Sequence, residues 1–378
     1  MIKKVLILVL TLSLTIGAFG QSLEENLSNM LQSNAEMYLQ PFGEAFGANM
    51  NSALFHRSRV HKMLGFDLGV KTMWAAIPDD ALTFQWDLLP ENKIEYDLSS
   101  IYSGIGSIEL GFDQIYNPDS VTTPTFFGSR DGSKLVVNDA GLSDIFYNHI
   151  RDELIAGGMP SANATAVANG LAGEGGAISD YVGDLPDLPL PPGIGLKAGV
   201  PMPMIMPQAS IGLPLGIELM VRGVPDIDLP EGMGKFNLVG GGVRLNLDQF
   251  IPIPLFPVDI TAGAVFQQMS VGDIVKSTNT SLNLQVGKSL SLLVFGLGVF
   301  GNVAYDMSTL NIAYEADLFP DDPDNALIPI EFDLETEPGV RFGGGFHLTV
   351  IPLTYISVGF SQTPTNQVYT LSAGLTLR

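Results

Sequence analysis

The chain has no cysteine among its 378 residues, which excludes a disulfide framework, a thiolate metal centre and a cysteine nucleophile. Basic residues are scarce, 18 against 40 acidic ones, for a net charge of −22. That balance argues against nucleic acid or an anionic membrane surface as partner. Long apolar runs are missing too: beyond the first twenty residues nothing approaches the roughly 20 apolar residues that a membrane helix needs. Yet mean hydropathy is positive, +0.27, with only 15% charged residues and 42 glycines, odd values for a pair of soluble domains. A chain that is apolar on average without apolar runs distributes its hydrophobicity by alternation, which points to strands.

At the N-terminus Lys3 and Lys4 precede an apolar run from Val5 to Ile16 and the small residues Gly17, Ala18 and Gly20. The pattern predicts a secretory signal peptide over residues 1–20, cleaved just after Gly20, because the run is too short to span a membrane. Cleavage removes two of the 18 basic residues and leaves the mature chain near −24.

The alternation is explicit along the second half. Val258, Ile260, Ala262, Ala264 and Phe266 oppose Asp259, Thr261, Gly263 and Gln267. Leu282, Leu284 and Val286 oppose Ser281, Asn283 and Gln285, and Phe342, Phe346 and Leu348 oppose Arg341, Gly343 and His347. Similar segments run over 64–74, 211–222, 238–248, 356–361 and 369–378. Their lengths suit the 9–11 residues of a tilted membrane strand. The polar face decides between a membrane barrel and a soluble sandwich: it consists of Gly, Ser, Asn and Gln, suited to a crowded barrel interior. Phe236, Phe250, Phe256, Tyr305, Tyr314, Tyr355 and Tyr369, near strand ends, fit interfacial girdles. The expected fold is all-β, a closed antiparallel transmembrane β-barrel of roughly 10–14 strands.

Two regions do not alternate. Leu23, Leu27, Met30, Leu31, Met37 and Leu39 recur mostly at three and four, so Ser22–Tyr38 reads as an amphipathic helix. A glycine-punctuated stretch, Pro41–Leu54, then leads to the first strand. Because Phe42, Phe46, Met50 and Phe55 need burial, residues 21–59 are expected to plug the lumen, with the barrel over 60–378. A loop and helix insertion occupies about 87–194, helical over 142–156 and 161–171, and closes with a proline-rich linker at 184–192.

The residues at Pro41–Ala45, at Thr123–Gly128 (TPTFFG) and at Pro207–Asn246 (PQASIGLPLGIELMVRGVPDIDL, then FNLVGGGVRLN) resemble an uncharacterised family of bacterial outer-membrane barrels. More distantly, the plugged-barrel plan is similar to the long-chain fatty-acid transporters of outer membranes. The terminal strand, Tyr369–Arg378, resembles the one that barrel-assembly machinery reads, although it ends in Arg378 rather than an aromatic. The resemblance implies a bacterial outer-membrane location, with lipids and the assembly machinery as partners and passive uptake of a small hydrophobic compound as the function. A sealed structural or surface-interaction barrel is the alternative, and an outer-membrane hydrolase the third.

The candidate chemistry is sparse. His56, Arg57, Arg59 and His61, in HRSRVH, form a basic cluster at the rim that could hold an anionic head group. It could equally pair with the surplus acid nearby or with lipid phosphate. Asp67, Lys71, Glu218, Arg222, Arg244, Asp259 and Arg341 are expected on interior faces as a ladder of charges, sealing the lumen or lining a polar path. His347 shares the interior with Ser357 and Ser361 on the next strand, the minimum for a hydrolase, but no nucleophile elbow accompanies it. The acidic stretch Phe319–Glu337 reads as a solvated loop, with calcium as its functional alternative. No catalytic residue, metal or cofactor is expected.

Overall fold

A computed structural model describes residues 32–377, except 89, 91–92, 100, 184, 186, 230–233, 252–257, 292–294, 317–327 and 351–352. The signal segment, the first part of the helix expected over Ser22–Tyr38, Phe256 and residues 319–327 of the acidic stretch lie outside the described residues.

Among the described residues ten antiparallel strands close into a barrel. They are β1 Phe66–Ala76, β2 Pro201–Leu213, β3 Ile217–Asp228, β4 Lys235–Asn246 and β5 Asp259–Val271, then β6 Val275–Ser291, β7 Phe295–Ala316, β8 Ile328–Val350, β9 Thr354–Gln362 and β10 Gln367–Leu377. Each strand pairs with its neighbour in sequence, and β1 closes the ring on β10 from Phe66↔Leu377 to Ala75↔Val368. Exposure runs opposite to that of a soluble sandwich. Phe342 and Val221 are each 62% exposed on the outer face, whereas Asn279 and Ser281 are fully buried inside. An apolar outside around a polar inside requires lipid as the surrounding medium, so the fold is that of an outer-membrane barrel. One aromatic departs from the expected girdles: Tyr355 has the parity of Ser357 and Ser361, points inward and is 1% exposed.

β7 and β8 are 22 and 23 residues long, about twice what a membrane crossing requires. A bulge between Asp306 and Ser308 marks where their outer halves begin. Beyond it Glu331, Asp333 and Glu335 face outward and exposed, which no lipid-facing surface would tolerate, while Phe332 and Leu334 are buried on the inner side. The outer half of this hairpin therefore stands clear of the hydrocarbon. The β2–β3 ladder is short, covering only Gln208–Leu213 against Arg222–Ile217, although β2 pairs with β1 as far as Pro201↔Ala76. Pro201, Pro203 and Pro207 share one parity, so their missing N–H groups all fall on the edge facing β3.

Under the inner face of the β7–β8 hairpin lies helix α1, Gln32–Met50. The sequence pattern predicts helix only to Tyr38, with an irregular segment from Pro41. Instead the helix continues through Pro41, because burial of Ala45, Phe46, Ala48 and Met50 outweighs local propensity. Gly43 and Gly47, one turn apart, let the backbone approach the wall: a Cβ on Gly47 would overlap Ser308. Residues 51–65 then descend inside the barrel to β1, so this segment plugs the lumen.

Residues Thr83–Gly195, between β1 and β2 in sequence, form a separate compact unit. Besides a single turn at Phe112–Ile115, its helices are α2 Asp139–Ala156, α3 Ser161–Ala172 and α4 Ala177–Gly183. The Asn138 side chain accepts the Gly141 N–H at the start of α2, the capping that an asparagine there supplies. Leu142, Phe146, Ile150 and Leu154 form a stripe spaced at four that packs with Ala164, Ala168 and Ala172, spaced likewise, in this unit's own core. The proline-rich end is tied by Leu188–Pro189 pairing with Lys134–Leu135.

The inverted exposure sets a test by substitution. Leu284→Arg, mid-strand on the outer face of β6, should cost about 2–4 kcal/mol in lipid-vesicle unfolding titrations, whereas Glu331→Arg on the overhanging hairpin should cost well under 1 kcal/mol. Equal losses would place β6 and the overhang in the same medium and refute the assignment of the belt.

Candidate functional site: the lumen around the plug

The plug is moored to one wall by ionic and amide contacts. Alternation on β3 and β4 aims Glu218, Arg222 and Arg244 inward, and on β1 it does the same for Asp67 and Lys71. All five are buried. Glu218 is the centre: its carboxylate accepts from Arg244 Nε at 3.1 Å and from Nη2 at 2.9 and 3.1 Å, and from the His61 backbone N–H at 2.7 Å, with Arg57 Nη2 3.7 Å away. Arg244 also donates to the carbonyls of Arg57 at 2.6 Å and Arg59 at 3.1 Å, and its guanidinium lies 4.7 Å from the Phe55 ring centre. Asp67 meets His61 Nε2 at 2.9 Å and accepts from Ser210 Oγ at 2.7 Å.

A second group holds His56. Its ring stacks on Tyr355 with centroids 4.1 Å apart and planes 9° apart, and Lys71 Nζ lies 3.0 Å from Nδ1 and 3.3 Å from the Tyr355 hydroxyl. Burial, reinforced by the Lys71 ammonium, holds the His56 imidazole well below its ordinary pKa, and burial also lowers that of His61. Neutral His56 therefore accepts the Lys71 proton through Nδ1. Gly69 and Gly374 make the room for Tyr355, since a Cβ on either would strike its ring or hydroxyl. Higher in the lumen, Arg222, Gln208 and Gln267 donate to the carbonyls of Ser52, Leu54 and Met50.

The opposite wall, β6–β10, meets the plug through the Tyr355 ring stacked on His56 and through hydroxyl and amide contacts: Asn51 Nδ2 donates to Ser308 Oγ at 3.0 Å, Ser52 Oγ meets Ser361 Oγ at 3.2 Å, Ser357 Oγ reaches the His56 carbonyl at 3.4 Å, and Gln40 Nε2 donates to the Glu335 carbonyl at 3.4 Å. Two cavities lie along this side. The inner one, about 30 Å³, is lined by His56, Asn302, Arg341, Ser357, Ser361 and Ser372 among others. The outer one, about 220 Å³, is bounded by Glu44, Asn51, Asp306, Thr336 and Arg341. Arg341 borders both, held by Asp306 Oδ2 at 2.6 Å.

The two groups of residues that the sequence suggests separately thus form one network. His56, Arg57 and His61, expected at the rim, are buried in the lumen, because the plug carries them down to the charges of β1, β3 and β4; Arg59 alone of that cluster is exposed. Asp259 has interior parity but is only half-buried at the start of β5 and makes no ion pair within 4.0 Å among the described residues. Sequence reading missed Tyr355, Gln208, Gln267 and Ser210, all on inward parity and legible from it.

His347 and Ser357 are cross-strand partners on β8 and β9, as the parity suggests. The Ser357 hydroxyl, however, turns to the carbonyls of Phe346 and His56, while His347 Nε2 lies 3.4 Å from Ser289 Oγ on β6. In the Ser210–Asp67–His61 chain the carboxylate stands between serine and histidine, whereas nucleophile activation needs the histidine in the middle. His61, Asp67 and Glu218 converge within 4.8 Å, yet both carboxylates already serve arginine, histidine and serine donors, the pattern of an ion-pair network rather than of free metal ligands.

Two outcomes follow for the mooring. Glu218→Gln leaves Arg57 and Arg244 without their carboxylate, a loss of about 3–5 kcal/mol in plug docking, and should make the folded barrel cleavable by trypsin after Arg57. Unchanged protection would show that the mooring lies elsewhere. Docking keeps His56 neutral, so its contribution is complete above the ordinary histidine value of about 6.5 and is lost as pH falls below it. Trypsin cleavage after Arg57, relative to that of the unfolded chain at the same pH, should therefore rise on acidification from pH 7.5 to 5.5, and His56→Gln should reduce that rise to the smaller part that His61 contributes; a slope unchanged in the variant would assign it to another group.

Comparison with known proteins adds a family and little else. A solved structure of a KdgM porin in complex with disordered oligogalacturonate is similar over 46% of this chain and 93% of its own, at 9% identity and a TM-score of 0.24, too low to support an argument. No curated protein matches. Residues 1–377 match the model of a family of unknown function, DUF6588, and the chain belongs to that family.

Proposed function

We propose that this protein is a passive outer-membrane diffusion barrel for small polar solutes, gated by its own N-terminal segment. The observation that carries the reading is the asymmetry of the lumen. On the β1–β5 side the plug is held by buried ion pairs and amide contacts, and on the β6–β10 side by the His56–Tyr355 stack and by hydroxyl and amide contacts beside two cavities that both border Arg341. In this reading residues 51–56 move toward the moored wall to join the cavities, a motion that would break the His56–Tyr355 stack and the hydroxyl contacts but leave the Glu218 network. The inner cavity, at about 30 Å³, holds roughly one water, so the route is closed until that displacement occurs.

The resemblance to fatty-acid transporters favours a hydrophobic cargo. The lining supports a polar one at the constriction: beside Leu54, Phe55, Phe300 and Phe360 the inner cavity carries Asn283, Asn302, Arg341, Ser357, Ser361 and Ser372, polar groups that an apolar compound would leave without partners. The reading involves no catalysis; the Asp67 carboxylate standing between Ser210 and His61 supports a structural role for that chain. A sealed barrel that carries the Thr83–Gly195 unit is the second reading, favoured by the small inner cavity.

Liposome swelling decides between them. Proteoliposomes of the mature chain should swell in small sugars and amino acids, and the paired variant Asp306→Ala with Arg341→Ala, which removes the constriction without orphaning either charge, should swell several-fold faster. Uptake of labelled fatty acids without swelling would return the cargo to the hydrophobic class. Neither swelling nor uptake by either protein, with folding verified by heat-modifiable mobility, would leave the sealed barrel.

A further inference from the structure

Inside the barrel the fully buried cations outnumber the fully buried carboxylates. Arg57, Lys71, Arg222, Arg244 and Arg341 are each at most 5% exposed, against Asp67 and Glu218 among the carboxylates; Glu218 pairs with Arg57 and Arg244, Asp67 with His61, and Asp306 with Arg341, while Asp259 and Glu44 are only half-buried. This is the reverse of the whole chain, whose net charge is −22. The imbalance has an address. Among the described residues Lys71 and Arg222 have no carboxylate within 4.0 Å. Lys71 is met by neutral His56 and Tyr355. Arg222, 3% exposed, donates through Nη1 to the Ser52 carbonyl at 3.3 Å, and its Nε and Nη2 have no hydrogen-bond partner.

A buried guanidinium with two unused donors is costly unless an anion reaches it. The path exists in outline: Ser52, which Arg222 contacts, touches Ser361, and Ser361 and Arg341 line the inner cavity. When residues 51–56 move aside, Arg222 and Arg341 face the same space from opposite walls, with serine hydroxyls and the Asn302 amide between them. Cations gain nothing there, because Asp67, Glu218 and Asp306 are already engaged. The acidic residues of the β7–β8 hairpin, Glu331, Asp333 and Glu335, are exposed on its outer face, where salt screens them within about 8–10 Å. Glu44 borders the wider outer cavity, away from the constriction.

We infer that the lumen selects small anions, with Arg222 as the residue that sets the preference and Arg341 opposite it. This rests on the diffusion-barrel reading and specifies its solute class. The pattern resembles a cleft lined by one sign of charge between low-dielectric walls, which concentrates the counter-ion.

The test is the reversal potential of the full mature protein in planar bilayers across a KCl gradient. The expected result is a chloride-over-potassium permeability ratio clearly above 1, up to about 10, the low end of such focusing, falling toward 1 in Arg222→Gln. Arg222→Lys, which preserves charge but not the fork, should retain the preference, and the exposed Arg59→Gln should leave it unchanged. A ratio at or below 1 in the unaltered protein, or one that Arg222→Gln does not move, overturns the anion inference while leaving the diffusion barrel standing. The absence of any current under conditions that displace the plug, such as Glu218→Gln, overturns both.

Discussion

The carboxylate of Glu218 is the group on which the interior arrangement depends. It sits 1% exposed in the barrel wall, accepts from Arg244 and from the backbone of His61, and lies 3.7 Å from the Arg57 guanidinium, so one side chain of β3 joins β4 to two positions of the plug. Buried ion pairs are not in general a source of stability, because desolvation offsets most of the attraction. Their value here is in specificity: the plug's backbone carbonyls at 57 and 59 are read by a guanidinium that is itself fixed by Glu218, and that geometry permits one register of the segment against the wall. Everything above it, from the Gln208 and Gln267 contacts to the placement of α1, follows from that register.

Much of the barrel was legible because a period of two is hard to counterfeit over many segments, and because the inner face contained glycine, serine, asparagine and glutamine. Parity alone put Asp67, Lys71, Glu218, Arg222, Arg244, Arg341 and His347 inside. What alternation cannot show is which inward residues on distant strands share a height in the barrel, and that depends on stagger. Thus parity correctly sets His347 beside Ser357 in the next strand, but it gives no sign of the contact that the imidazole makes with Ser289 across β7. The glycine at 298 permits this, since a Cβ there would occupy the space of the imidazole ring.

The helix was the least legible element. Pro41, Gly43 and Gly47 read as breakers in an isolated chain, and only the wall of β7 and β8 turns the two glycines into contact points and makes the burial of Phe46 and Met50 worth the missing hydrogen bond at Pro41. The same tertiary dependence moved His56, Arg57 and His61 from a supposed rim to the middle of the lumen. A cluster of basic residues just before a strand says nothing about depth until the path of the preceding segment is known.

The ring closes where β1 meets β10, and β1 follows the plug directly in sequence. A segment carrying the buried bulk of Tyr38, Phe46 and Phe55 would have to thread a closed ring of hydrogen-bonded strands if it arrived last. A plug already in place when the last strand docks would avoid that passage and serve as a mandrel around which the sheet is wrapped. The polar contacts of residues 49–61 then have a role in time as well as in space, guiding the curl of β2–β5 before β6–β10 are drawn across to shut the wall.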